Sequence, residues 1–418
     1  MFLTRFLAGL FISFFLFSAF KFYGSDWGFF MHRRINRLAV FTLPVELIGF
    51  YKKNIEYITA HAVDPDMRRY VVPVEGYKHY IDLDRWNRGA LPKGFLNARR
   101  MFTEAVIING NNDTLRTFGK MVKKSGNWNV ILKGENFYTF FEKDSIVLLK
   151  DDYHQFFRDH IYRSQYLEKW ELDCDSIETF FRFHGFYLNC QQAMAIDTFV
   201  SHGVLPYHLV RMQRNLTEAM RLGNVQQILR LSADFGHYIG DAHVPLHTTS
   251  NYNGQETGQL GIHAFWETRL PELFADEEYD YFVGKAIYIE EPLNYYWNII
   301  EQSHALVNDV LSIEKIISKD FPEDQQQCFI ERGEGYIQTM ACEEYARLYH
   351  KKLNGQVEDR LRAAIHVVGN AWYSAWVDAG QPDLDSLTDN RIKDKELKEE
   401  EQLIKAVRSG KILGRKHN

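Results

Sequence analysis

One stretch of the chain carries histidines and carboxylates with the types and spacing of metal ligands. His237 and Asp241 are four residues apart, and the same separation joins His263 to Glu267. Residues at that spacing lie on one face of a helix. His247 lies between the two pairs, two residues after a proline that is expected to end the first helix. Because imidazole and carboxylate are the zinc ligands used when cysteine is absent, this stretch predicts a site for several metal ions.

A polar helix face in contact with solvent is the alternative explanation for any one such pair. Two pairs and a further histidine fall here within a segment otherwise rich in Leu, Ile, Phe and Trp, which disfavours that explanation. His243 stands two residues after Asp241 and so lies off the shared face. We therefore expect His243 to support a ligand or the helix packing rather than to bind metal itself.

The composition indicates a globular protein without a surface for binding polyanions. Of the 418 residues, 45% are hydrophobic and 15% aromatic, which is ample for a core of one large domain or two. The net charge of −6 argues against a basic surface for nucleic acid. A phosphate-bearing substrate would therefore have to be held locally, by metal charge and a few arginines.

The N-terminus has the pattern of a secretory signal peptide. Arg5 precedes a continuous apolar run from Phe6 to Phe20, which Lys21 ends. The run is short for a membrane span, which needs about 20 residues. We predict a signal peptide and a short following segment over residues 1–26, and a secreted or periplasmic protein; an uncleaved anchor is the alternative.

The four cysteines indicate disulfides rather than a thiolate metal site. None of them has the CxxC spacing of such a site. In an exported protein an even number of cysteines permits two disulfides. Proximity in the sequence favours the pairs Cys174–Cys190 and Cys328–Cys342.

Apolar periodicity predicts a mainly α fold with one less regular segment. Residues 87–180 contain short β-prone pieces, WNVILKG and SIVLLK, among charged connections, and we interpret them as an insertion without chemistry of its own. A charged tail is expected over 385–418. Helical patterns cover 32–43, 179–231 (with a break at 202–208), 293–317, 330–353 and 360–379.

Further ligand candidates precede the central stretch and complete a recognisable series. They are Trp27, His32 five residues later, the aspartates of the DPD sequence at 64–66, and His79. Together with HYIGDAHVPLH and IHAFWE, this series resembles the zinc-dependent phospholipase C and S1/P1 nuclease superfamily. The resemblance runs from Trp27 to about Leu273, leaves the 87–180 segment uncovered, and returns more weakly in AWVDAGQPDL. It implies a multi-helix fold around a three-zinc cluster, here over residues 27–384 with the insertion.

The resemblance also implies a ligand set for each of three zinc ions. Asp64, chosen over Asp66 for its fifteen-residue distance to His79, would bind the first zinc. The complete sets that it implies are Asp64, His79, His237 and Asp241 for the first ion, His247, His263 and Glu267 for the second, and Trp27, His32 and Asp241 for the third. The third zinc needs Trp27 as a free mature N-terminus, and Gly-Ser-Asp precedes it. Unusual cleavage, later trimming, or a site with fewer ligands would each account for this.

The chemistry expected of such a cluster is hydrolysis of a phosphate ester. Clustered zinc ions lower the pKa of bound water from about 15.7 toward 7 and neutralise phosphate oxygens. Asp241 would orient the attacking hydroxide and accept its proton, and Asp64 is a second candidate catalytic residue. Arg68 or Arg69 would hold the negative charge that develops on phosphorus.

Two features bear on the substrate and favour different branches of the superfamily. In the nuclease branch the aromatic after the metal-binding histidine stacks on a base, and the aspartate two further on accepts from the edge of that base; Tyr80 and Asp82 match these positions. Core packing of Tyr80 and helix capping by Asp82 are the alternatives. Glu267 stands where the phospholipase branch has glutamate.

We expect an S1/P1-type nuclease acting on single-stranded nucleic acid or nucleotides. A phospholipase C acting on phospholipid is the alternative, and a zinc-binding protein without activity is the non-enzyme alternative. The sequence indicates no protein partner.

Overall fold

The computed structural model describes residues 30–86, 91–117, 137–141, 146–331 and 337–387, and this part of the chain is mainly helical, as the sequence predicts. The predicted signal peptide, Trp27, the WNVILKG piece and almost all of the charged tail lie outside the described residues. The helices are α1 (Phe30–Ala39), α2 (Val45–Lys53), α3 (Ile55–Ala60), α4 (Asp64–Arg68), α5 (Phe95–Phe102), α6 (Lys150–Phe156), α7 (Cys174–Phe183), α8 (Leu205–Arg221), α9 (Val225–His243), α10 (Ile262–Ala264), α11 (Leu270–Phe274), α12 (Pro292–Ala305), α13 (Val307–Asp320), α14 (Glu343–Leu353) and α15 (Gln356–Asp378).

Helix α9 lies at the centre of the helical core and carries two of the predicted ligands. Every residue from Ser232 to His243 is buried, as expected of a helix covered on all sides. Its neighbours are α1, α8 and α15. At its start the Asn224 side chain accepts from the Gln227 N–H. It ends at His243, where the following Pro245 cannot continue the backbone hydrogen bonding, as predicted.

Two glycines in α9 allow α1 to approach very closely. A Cβ atom at Gly236 would stand 1.8 Å from Asn36 Oδ1, and one at Gly240 would stand 2.8 Å from His32 Nδ1. No side chain fits in either space. Asn36 Nδ2 also donates to the Ala233 carbonyl at 3.0 Å. The glycines of HYIGDAH therefore set the distance between α1 and α9, and with it the position of His32.

The segment predicted as an insertion contains an antiparallel sheet with a small core of its own. Side chains such as Ile107 and Ala195 pack there against Phe156 of α6 and Phe181 of α7. Strand pairing continues past residue 180 and ends at Asp197. The sheet has the order β4-β3-β2-β1-β6-β5, formed by β1 (Thr103–Asn109), β2 (Thr114–Thr117), β3 (Phe137–Phe141), β4 (Ile146–Leu149), β5 (Lys169–Glu171) and β6 (Cys190–Asp197).

A buried ion pair joins the sheet-containing segment to the helical core. Arg99 Nε lies 2.5 Å from Asp197 Oδ2, and both side chains are almost fully buried. The other carboxylate oxygen of Asp197 accepts from the backbone N–H groups of Phe199 and Val200. Removing either partner of such a pair leaves an uncompensated charge, so the pair fixes the chain where it returns from the sheet.

Two of the helical predictions, 179–231 and 330–353, are partly wrong because part of each stretch forms β-strands. Residues 190–197 form β6, which pairs with β1 along its whole length. Residues 327–341 form the hairpin of β7 (Gln327–Glu331) and β8 (Ile337–Ala341) before α14 begins. The predicted helices at 293–317 and 360–379 correspond closely to α12, α13 and α15.

Both predicted disulfides are present, and each closes a local element. Cys174 and Cys190 join α7 to β6 with a Cα–Cα distance of 5.5 Å. Cys328 and Cys342 close the β7–β8 hairpin at 5.0 Å. Disulfides of this kind are typical of an oxidising, extracellular environment. In the described part of the chain, no helix is long and apolar enough to cross a bilayer.

A buried histidine in α8 makes the stability of the fold depend on pH. His208 Nδ1 lies 3.0 Å from the Tyr166 hydroxyl, and its ring contacts Tyr238 edge-on. Burial, together with the nearby positive charges of Lys78 and Arg211, holds the pKa of His208 well below its usual range. The folded state therefore keeps this imidazole neutral at pH values where the unfolded chain protonates it.

We predict that the free energy of unfolding of metal-free protein falls as pH decreases below about 6.5, the unfolded pKa of histidine. The contribution of His208 to the free energy of unfolding is fully present above that pH. It is lost progressively as the pH falls toward the folded pKa of His208, by up to about 1.4 kcal/mol per pH unit. His208→Gln should reduce the slope by about one proton in urea denaturation between pH 7.5 and 5.5. Parallel slopes for both proteins would contradict this assignment.

Candidate metal centre

Three groups of side chains that could each hold a metal ion lie together in the helical core. Two of the groups share His237, and within each group the ligand atoms lie within 4.8 Å of one another. They are His32, His237 and Asp241; Asp66, His79 and His237; and His247, His263 and Glu267. The structure thus brings together the predicted ligands from α1, α9, α10 and the loops, and replaces one of them.

Asp241 lies at the centre of these groups. Its Oδ1 atom is 3.5 Å from His32 Nε2 and 3.8 Å from His247 Nε2. Its Oδ2 atom is 2.9 Å from His79 Nδ1 and 3.4 Å from His237 Nε2. One carboxylate therefore faces four imidazoles, with two of them near each of its oxygens. This arrangement would suit a carboxylate shared between two cations.

Glu267 occupies the second half of the centre. It belongs to a π-helical turn, Phe265–Arg269, which joins α10 to α11. Such turns occur frequently at functional sites. Glu267 Oε2 lies 2.8 Å from His263 Nε2 and 3.6 Å from His247 Nε2, and Oε1 lies 3.5 Å from His32 Nε2.

The spacing of these atoms fits metal ligation better than direct hydrogen bonding. Nitrogen and oxygen ligands at about 2.0–2.2 Å from a tetrahedral ion stand about 3.3–3.6 Å from each other. Most of the separations around Asp241 and Glu267, from 3.4 to 3.8 Å, are near that range and too long for strong hydrogen bonds.

Backbone carbonyls fix the tautomer of three of the imidazoles. Nδ1 of His237 lies 2.9 Å from the Ala62 carbonyl oxygen, and Nδ1 of His263 lies 3.0 Å from that of Tyr252. His247 makes the same contact, at 2.6 Å, with the carbonyl of His79. Because a carbonyl only accepts, each Nδ1 carries the proton and each Nε2 presents its lone pair to the centre. Metal-binding histidines are typically held this way.

Burial and the neighbouring charges shift the pKa values of the ionisable side chains in the centre. Burial holds the pKa of His237 well below its usual range, so the ring is a neutral ligand. Burial, with the negative charges of Asp66 and Glu267, raises the pKa of Asp241 well above its usual range. Burial also raises the pKa of Glu267, but hydrogen bonds from the surrounding histidines outweigh it and the net shift is strongly downward. Clustered cations would remove the repulsion between the carboxylates, so these residues fit metal ions.

Helix α4 presents Asp66, and not the predicted Asp64, to the centre. Asp66 Oδ1 lies 3.7 Å from His79 Nδ1 and 3.8 Å from His237 Nε2. Asp64 instead contacts His61 Nδ1 at 2.8 Å. The choice of Asp64 as a ligand is therefore corrected to Asp66, because positions 64 and 66 of a helix point about 200° apart.

The orientation of the α4 segment also determines which of its two arginines faces the candidate ligands. Arg68 makes a two-pronged ion pair with Asp234, at 3.1 and 2.8 Å, and lies 3.5 Å from Glu75. Arg69 is 5% exposed and donates to Asp66 Oδ1 at 3.3 Å. Arg68 is therefore part of a structural ion-pair network, and Arg69 is the arginine that faces the candidate ligands.

The two predicted substrate-binding residues are buried. Tyr80 is only 4% exposed, and its hydroxyl donates to the Ser201 carbonyl at 3.1 Å. Asp82 is 1% exposed, and its Oδ2 lies 3.3 Å from Nδ1 of His202. Both contacts attach the 79–82 segment to the 200–203 turn. His202 thus gains a carboxylate partner that lies 120 positions earlier in the chain, a contact for which the sequence analysis found no signal.

Comparisons with known proteins add no relative to this picture. The chain matches no protein-family model. Neither a search of curated proteins nor a search of solved structures found a match. The resemblance described above therefore depends on the motif residues and on the geometry that they adopt.

The reassignment within α4 gives a matched pair of variants. Asp66→Asn removes a charged oxygen from between His79 and His237, so we expect the purified protein to lose at least one bound metal ion per chain. Asp64→Asn, two residues away, should keep the full metal content because its carboxylate contacts His61. Elemental analysis of both variants checks this. Retention of all metal by Asp66→Asn, or its loss only from Asp64→Asn, would return the ligand role to Asp64.

Proposed function

We propose that this protein is an exported zinc-dependent phosphodiester hydrolase of the phospholipase C and S1/P1 nuclease superfamily. The observation that carries the proposal is the position of Asp241 between four imidazoles, with Asp66 and Glu267 on either side. Imidazole and carboxylate without thiolate suit zinc, and this centre has both at ligand spacing. The two disulfides and the signal-like N-terminus support export.

The residues of the centre suit attack on a phosphate ester. Zinc ions held by these residues would supply Lewis acidity, activate water and neutralise the negative charge that otherwise repels a nucleophile. Asp241, buried among four imidazoles, would orient the nucleophile and accept its proton. Arg69, fixed by Asp66, adds a permanent positive charge for the phosphoryl oxygens.

Single-stranded nucleic acid or a nucleotide is the preferred substrate class. The candidate centre lies beside a polar loop, residues 249–257, in which side chains bond the backbone. Asn251 Oδ1 accepts from the Glu256 N–H, and Gln255 Nε2 donates to the Ser250 carbonyl. Arg85 also stands exposed, paired with Glu256. A polar loop of this kind beside the centre suits a polar substrate better than acyl chains.

Phospholipid is the second candidate, and two observations favour it. Glu267 provides the carboxylate where the phospholipase branch has glutamate. The ring of Tyr80, which a nuclease would use for stacking, is almost completely covered. A phospholipase C would cleave the same phosphoester bond with the same ligands, so only the flanking contacts distinguish the two.

Parallel assays on single-stranded DNA, RNA and phosphatidylcholine test the proposal. We expect hydrolysis of at least one nucleic acid, abolished by a chelator and restored by zinc, because zinc would activate the attacking water whereas Arg69 supplies only positive charge and hydrogen bonds. Hydrolysis of phosphatidylcholine alone would assign the phospholipase activity instead. Zinc-loaded protein that cleaves none of the three would support a metal-binding protein without this activity.

A further inference from the structure

Asp82, three residues after the candidate ligand His79, forms a carboxylate–imidazole pair with His202. His202 belongs to the 3-10 turn Val200–His202, directly after the strand β6. Its side chain is 36% exposed, whereas that of Asp82 is 2% exposed. A buried carboxylate therefore supports an imidazole that remains open to solvent.

Backbone hydrogen bonds connect this pair to the metal ligands. The N–H of Asp82 donates to the His202 carbonyl at 2.8 Å, and the N–H of Ile81 donates to the His247 carbonyl at 2.9 Å. His247 in turn bonds the His79 carbonyl. The 79–82 segment thus lies between a ligand histidine and His202. Three residues span at most about 10 Å, so the Cα atoms of Asp82 and of the candidate ligand His79 are no farther apart than that.

The close packing of this segment gives the pair a fixed position. A Cβ at Gly203, where φ is +88°, would stand 2.0 Å from the Tyr80 carbonyl oxygen. Trp86 contacts the His202 ring edge-on, with ring centroids 5.3 Å apart. Within the described part of the chain, the His202 ring contacts Asp82 and Trp86. Such a side chain binds a ligand with little loss of conformational freedom.

We propose that His202 binds the substrate next to the scissile phosphate, and that Asp82 is the positioning residue that orients the His202 ring. This inference rests on the proposed nuclease function and specifies its substrate contact. In the tautomer that donates from Nδ1 to Asp82, Nε2 of His202 is a hydrogen-bond acceptor. An acceptor beside an aromatic ring suits the N–H groups of a nucleobase. A choline headgroup offers no such donor.

Three variants separate the roles of the two residues. His202→Ala removes the acceptor, whereas His202→Gln keeps a polar group at a similar reach. Asp82→Asn presents an amide that can donate to Nδ1, which would move the ring proton to Nε2 and turn the acceptor into a donor. His184→Ala is the matched control, because His184 also faces an aspartate, Asp152, at 3.7 Å but lies in the sheet-containing segment.

Steady-state kinetics on an oligonucleotide and on bis(p-nitrophenyl) phosphate, which carries aromatic rings without N–H donors, test the proposal. We expect His202→Ala and Asp82→Asn to raise KM for the oligonucleotide about tenfold with kcat nearly unchanged. Hydrolysis of the base-free ester and the zinc content should stay at the wild-type level. His202→Gln should recover part of the loss, and the control should behave as wild type.

Several outcomes would overturn the inference, and one further outcome would overturn the proposed nuclease function as well. Unchanged KM in His202→Ala would refute it, and an effect confined to Asp82→Asn would show that Asp82 itself contacts the base. Equal losses on both substrates, or loss of zinc, would show a structural role. Failure of the wild-type protein to cleave any oligonucleotide would instead refute the proposed nuclease function and the inference with it.

Discussion

The buried carboxylate of Asp241 is the constraint on which the structure of the site depends. It is 1% exposed, and four imidazoles lie within 3.8 Å of its two oxygens. A carboxylate in this position is unfavourable unless positive charge reaches it, since burial and two further carboxylates oppose its ionisation. Bound cations would provide that charge. The arrangement is therefore understandable as a site that becomes electrostatically balanced only with metal present.

The surrounding fold holds the ligands around Asp241 with rigid, buried contacts. Gly236 and Gly240 admit α1 close to α9, which brings His32 to the centre. On the other side, Arg68 pairs with Asp234 of α9 and stands near Glu75, which also accepts from the Tyr238 hydroxyl. This network fastens α4 and the following loop against α9. Removing one member of a buried ion pair costs several kcal/mol, so the network resists displacement of Asp66 and His79.

The sequence predicts the part of the site that is encoded by local spacing. The pairs His237–Asp241 and His263–Glu267 follow from the helical period, and their geometry agrees with it. The choice of Asp64 over Asp66 and the open choice between Arg68 and Arg69 share one cause. Residues 64 and 68 lie on one face of this five-residue helix and residues 66 and 69 on another, and a short turn carries no periodicity to show which face is inward.

Longer-range features are the ones that sequence patterns miss. The residues of β6, CQQAMAID, have no strong strand preference, and pairing with β1 decides their conformation. The hairpin before α14 is similarly fixed by its partner strand and by a disulfide. His202 acquires its carboxylate from Asp82, far away in the chain. Contacts of this kind depend on the tertiary fold, and one sequence gives no signal for them.

The metal content of the purified mature protein is the most direct test of this account. Elemental analysis, combined with N-terminal sequencing of the same sample, counts the zinc ions per chain and shows whether Trp27 is the first residue. The account predicts three zinc ions per chain when Trp27 is the mature N-terminus. Fewer than two zinc ions per chain in protein prepared without chelator would contradict it.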